Sequence, residues 1–204
     1  MGIRSFVATV SLVAALSVGA VALAGCSTAA EPAGGTATNE PSSSTAQMLD
    51  ALNLDPADPK TMIEALDAMP VAERPGDLIV SVLPTSLQLQ PGEPDEVSIT
   101  LAHENFYLSI APFVSETHPC TFHSLTTCLG ELQNTPVELT VTDATNGEVI
   151  VSKRTSTADN GFVGVWLPRG GEFSVRIDSA QGSAEQTVKT GDEDPTCLTT
   201  LQLV

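Results

Sequence analysis

The sequence predicts an α+β chain: a small helical and strand N-terminal domain followed by an antiparallel β-sandwich-like C-terminal domain. Three observations carry that expectation. Apolar residues between Thr45 and Met69 recur at helical spacing, and from Asp77 onward the period drops to two. Asn146-Gly147 then stands between two alternating runs, the strongest short hairpin signal in the chain.

The elements follow in order. "TAQMLDALNL" sets Met48, Leu49 and Leu52 on one stripe. "DPKTMIEALDAM" offers Asp58 as N-cap and Pro59 at the first helical position. Met62, Ile63, Leu66 and Met69 keep helical spacing, and Pro70 ends the run. Three of the four methionines fall in these two stretches. Thioethers can bind Cu(I), but at amphipathic spacing methionine reads as core. "LIVSVLP", "SLQLQP", "EVSITLA" and "FYLSIAPF" read as strands parted by Pro and Gly turns. A second series comprises "VELTVTDATNGEVIVSKR", "FVGVWLP", "EFSVRID", "AEQTVKT" and "LTTLQLV". Within it, Phe162 and Trp166 read as packing around the β core. The rhythm of this series resembles prealbumin-like modules, and it speaks to fold and not to chemistry.

The N-terminus reads as a targeting segment over 1–25. Arg4 precedes an apolar run from Phe6 to Leu23 that closes in "LAGC", which resembles a bacterial lipobox with Cys26 as the lipidated first residue of the mature chain. An exported chain keeps its thiols where disulfides persist, and acyl chains anchor it to a membrane without spanning it. Residues 26–45, rich in Ser, Thr, Ala, Gly and Pro, read as a flexible tether. By random-coil scaling such a tether reaches roughly 25 Å. The expected N-terminal helix-plus-strand domain is 46–115, and the β-rich metal-binding domain is 116–204. With 8 Lys and Arg against 25 Asp and Glu, the formal net charge is −17. That balance argues against nucleic acid and against docking on anionic headgroups, and it suits cationic partners, metal ions included.

With Cys26 assigned to lipid, Cys120, Cys128 and Cys197 remain, an odd number in an oxidising compartment. One reading is a staple, Cys120–Cys128 or Cys128–Cys197, with a spare thiol. The rival is a thiolate metal site: three soft sulfurs suit Cu(I), and adding His123 or His118 makes a Cys₃His set of the zinc type. Eight extended residues would part Cys120 from Cys128 by about 26 Å, so "FHSLTTCLGE" must fold back. Cys197 must arrive from the other end of the β domain. Asp192, Glu193 and Asp194 beside it would hold a thiol protonated unless a cation binds, or else form only a solvated turn. His103, in "LAHENF", reads as a polar strand-end residue. No Ser/His/Asp ordering, HExxH run, phosphate loop or nucleotide fingerprint appears, which disfavours hydrolase and nucleotide chemistry.

"PCTFHSLTTCLGEL", "DNGFVGVWLPR" and "GDEDPTCLTTLQL" together are similar to the CueP family of cell-envelope copper-binding proteins, over about residues 118–203. The resemblance implies an extracytoplasmic protein that binds copper for tolerance, storage or delivery to copper enzymes. It implies metal-linked cysteines at Cys120, Cys128 and Cys197. His123, inside the shared "FHSLTTC", is the better histidine candidate, and His118 reads as an exposed loop residue. The resemblance also implies thiol-driven reduction of Cu(II) and a homodimer formed through the N-terminal domain. The lipobox departs from the soluble periplasmic form familiar in the family.

Overall fold

The computed structural model describes residues 40–204. The expected leader, the lipidated Cys26 and the tether up to residue 39 lie outside the described residues. Helix α1 (Ser43–Ala51) starts inside the expected tether, three residues ahead of the boundary drawn at 46. Ser42 caps it by accepting the Thr45 N–H at 3.2 Å, and Thr45 is itself buried and bonded to Asp95. Short polar residues, which read as linker in sequence, here serve as the cap.

Helix α2 (Pro59–Ala68) opens as expected on Asp58, which accepts the Thr61 N–H. Its stripe of Met62, Ile63 and Leu66 is fully buried. It packs with Leu49 on a sheet ordered β3-β2-β1-β5, made of β1 (Val80–Val82), β2 (Ser86–Leu89), β3 (Val97–Thr100) and β5 (His123–Ser124). The methionines of this region are core, Met62 fully and Met48 and Met69 in part.

Strand β4 (Asn105–Ile110) lies between β8 (Val163–Pro168) and β11 (Cys197–Leu198), antiparallel to the first and parallel to the second. Successive side chains on a strand point to opposite faces. Phe106, Leu108 and Ile110 therefore enter one core, while Tyr107 and Ser109 turn toward α2. Both faces of β4 are covered, which explains its unbroken burial. Against its first face packs the sheet β10-β9-β6-β7, from β6 (Pro136–Asp143), β7 (Val149–Ser156), β9 (Glu172–Ser179) and β10 (Gly182–Lys189), all antiparallel. The Asn146-Gly147 hairpin joins β6 to β7 through a five-residue loop, with Gly147 at φ +76° and Asp143 accepting the Thr145 N–H at 2.7 Å.

The division at 115/116 follows chain order but not the sheets. β5, from the C-terminal side, completes the N-terminal sheet against β1, and β4, from the N-terminal side, joins β8 and β11. All described residues fall within one compact unit. A period of two announces a strand but not the sheet it will join.

Candidate metal centre

The exchange of strands is what gathers the cysteines. His118-Pro119-Cys120 runs in without regular structure. The next residue, Thr121, offers its carbonyl to the N–H groups of Thr196 at 3.0 Å and Cys197 at 3.2 Å, which ties the two ends of the C-terminal half together. His123 then pairs with Val82 in β5. One helical-type turn follows, in which the Cys128 N–H donates to the Ser124 carbonyl at 3.1 Å and the Ser124 N–H points at the Cys128 sulfur at 3.4 Å. This fold-back replaces the extended separation. Just beyond it, Gly130 donates to the Asn160 carbonyl at 2.7 Å. A Cβ on Gly161, which sits at φ +81°, would fall 2.5 Å from the Gly130 carbonyl oxygen. Only glycine allows the two backbones to approach so closely.

Cys120 and Cys128 bring their sulfurs to 3.7 Å, and all three cysteines are free. The ligand atoms of His123, Cys128 and Cys197 lie within 4.8 Å of one another, as do those of His118, Cys120 and Cys128. Cys197 and His123 are 5% and 0% exposed. The structure thus brings Cys120, Cys128, Cys197 and His123 together. His118 is not the exposed loop residue expected from sequence: it is half-buried beside two sulfurs, because its short extended segment runs along the cluster. His103 is exposed and joins no such group among the described residues.

His123 is held from both sides. Its Nδ1 faces the Cys197 sulfur at 3.8 Å, and its Nε2 meets the Asp67 carboxylate at 3.0 Å. Asp67, near the end of α2, also accepts the Tyr107 hydroxyl at 2.6 Å and the Asn160 amide at 2.9 Å. Phe162 closes over the imidazole with ring centroids 4.4 Å apart. Burial on its own would pull the His123 pKa down. The Asp67 hydrogen bond and the sulfurs of Cys120 and Cys128 outweigh it and hold the imidazole well above its usual range. Burial likewise opposes ionised Asp67, yet His123 keeps that carboxyl below the usual range. Hydrogen bonding from Cys120 and Cys197, with His123 adding to it, draws the Cys128 thiol down. The same neighbours, Cys120 and Cys128, together with burial, push Cys197 up, because it would be a second negative charge in one small volume.

That cause leaves the solvated turn as the reading of the acidic loop and sets aside its effect on the thiol. Asp192 pairs with Arg169 at 3.1 Å, and Asp194 accepts the Gly191 N–H at 2.6 Å, so those carboxylates serve the turn and not the thiol. Arg74 leaves no mark in the sequence: its Nη1 donates to the Cys128 carbonyl at 2.9 Å and sets a cation near Cys128. Asp67 had left a sequence signal, since a carboxylate four residues after Ile63 sits on the helix's apolar stripe. Asn160 and the lid role of Phe162 had left none beyond the "DNGF" turn.

A family model described as periplasmic copper-binding protein CueP matches residues 61–202. The chain belongs to the CueP family. The match begins within α2 and so takes in Asp67 as well as all three cysteines, where the resemblance read from sequence began only near residue 118. The crystal structure of S. CueP is similar in fold, with a TM-score of 0.72 and 36% identity over 81% of this chain and 99% of that one. A comparison with curated proteins finds no match. Membership in the CueP family makes this an extracytoplasmic, copper-binding chain, and its cysteine cluster is the natural place to look for the metal.

Proposed function

We propose that this protein holds Cu(I) outside the cytoplasm through the thiolates of Cys120, Cys128 and Cys197, for copper tolerance, storage or delivery to a copper enzyme. The observation that carries the reading is the convergence of three free sulfurs from two distant parts of the chain. With metal–sulfur bonds near 2.3 Å, thiolates around one trigonal ion stand about 4 Å apart. The 3.7 Å between Cys120 and Cys128 fits that geometry without rebuilding the loop. Soft thiolates prefer Cu(I), and Arg74 beside them offsets negative charge. His123, backed by Asp67 as metal-bound imidazoles commonly are, is available as a further ligand, and a tetrahedral Cys₃His set makes zinc the alternative ion. Attachment through lipidated Cys26 and pairing through the N-terminal part belong to the same reading. Their support is the "LAGC" ending and the family resemblance.

Titrating the reduced protein with Cu(I) against a chromophoric chelator is expected to give one tight equivalent per chain. Alkylating the thiols should abolish it, and zinc should not displace it. Affinity should fall as pH falls, since protons compete for thiolates. Tight binding that survives alkylation would contradict the reading.

The short Cys120–Cys128 separation supports a second reading, thiol-driven reduction of Cu(II). Two thiols close to one disulfide, releasing two protons and two electrons, which convert two Cu(II) to two Cu(I). Counting free thiols before and after anaerobic Cu(II) addition tests this. The expected result is two thiols lost per two Cu(I) formed, and Cu(I) formed with no thiol lost would refute it.

A further inference from the structure

We propose that copper is received at an outer position formed by His118, Cys120 and Cys128, and is then handed inward around Cys128 to Cys197 and His123. This rests on the reading that the thiolates hold Cu(I).

Among the described residues two ligand sets stand out, each within 4.8 Å, and they share one atom, the Cys128 sulfur. They differ in depth. His118, Cys120 and Cys128 are half-buried and reachable from solvent, whereas His123 and Cys197 are sealed beneath them. The outer set has a local cause. Pro119 restricts His118 to extended backbone, and in an extended segment residues two apart point to the same side. His118 and Cys120 are thereby turned toward one ion. Phe162 touches both positions, with its ring 6.4 Å from that of His118 and 4.4 Å from that of His123.

The two histidines are also differently committed. Among the described residues no side chain hydrogen-bonds the His118 ring, so it can bind and release a metal without losing a partner. His123 is fixed by Asp67. A soft ion entering at the surface thus meets one imidazole without a hydrogen-bond partner and two cysteine sulfurs. Transfer is a ligand exchange at Cu(I): Cys120 and Cys128 stay bonded, the Cys197 sulfur and the His123 Nδ1 join as each gives up its proton to solvent, and His118 leaves. Copper keeps its oxidation state and no electron moves.

Stopped-flow capture of Cu(I) from its bicinchoninate complex, paired with equilibrium competition, tests the order of events in the reduced full chain. His118→Ala should slow capture by about tenfold or more, within the range over which association rates vary among variants. Its equilibrium affinity should stay within about twofold of wild type. His123→Ala should do the opposite, weakening affinity while leaving the capture rate near wild type. Wild-type capture by His118→Ala would overturn the proposal. So would an affinity loss matching its rate loss, since His118 would then be a permanent ligand of a single site. Absence of tight binding in the wild-type protein is a separate result that refutes the thiolate reading itself. Unchanged circular dichroism of His118→Ala secures the comparison.

Discussion

Cys197→Ser is expected to lower Cu(I) affinity by at least about a hundredfold. Removing the outer partner of a metal ligand already weakens binding about 10–100-fold, and here a ligand itself is replaced. Serine offers a hard oxygen where a soft ion needs sulfur. The substitution changes little else, because the residue stays at the start of β11 and a hydroxyl can still bond to the His123 Nδ1 that faces the sulfur at 3.8 Å. The loss should therefore appear in competition titrations without a matching change in near-UV circular dichroism. Cys120→Ser and Cys128→Ser should weaken binding too. Undiminished affinity in Cys197→Ser would leave a two-thiolate site on the loop and remove the reason for bringing the C-terminus to it.

Asp67→Ala is expected to cause the largest change in fold stability, about 3–5 kcal/mol, because it removes one partner of a buried ion pair and leaves the other uncompensated. Beyond His123 it orphans the buried Tyr107 hydroxyl and leaves the Asn160 amide with the Asp67 backbone carbonyl at 3.1 Å in place of two acceptors. For a domain of this size that corresponds to a fall of roughly 6–20 °C in Tm. The effect has a pH signature. Ionised Asp67 has its pKa held below the ordinary 3.8, so its contribution is complete above that value and is lost as pH falls through the depressed pKa. Protonated His123 has its pKa held above the ordinary 6.5, so its contribution is complete below that value and is lost as pH rises through the raised pKa. The gap in Tm between wild type and Asp67→Ala in the metal-free protein should thus be widest between 3.8 and 6.5 and narrow on the alkaline side. A gap independent of pH would mean that the carboxylate acts by packing alone.

The sequence made most of the strands, the two helices, the Asp58 cap of α2 and the three candidate sulfurs legible, because each leaves a local mark, whereas the Ser42 cap and the two-residue β5 leave none. Asp58-Pro59 announces a helix start, alternation announces β6 and β9, and cysteines announce themselves. Which strands would share a sheet left no such mark. The transfer of β5 to the N-terminal sheet, the step that carries His123 to Asp67, depends on contacts between residues 56 apart. The half-burial of His118 is illegible for a related reason: its neighbours are set by where Cys128 folds back and not by the residues beside it. The parallel pairing of Cys197 with Ser109 is likewise a long-range event. It depends on β4 being covered on both faces, a property of the assembled layers and not of "NFYLSI" alone.

Copper K-edge absorption on the Cu(I)-loaded, reduced protein tests the central claim most directly, since it counts the sulfurs on the metal. Three sulfur neighbours at about 2.3 Å are expected, dropping to two in Cys197→Ser. Two sulfurs in the wild-type protein, unchanged by that substitution, would contradict it.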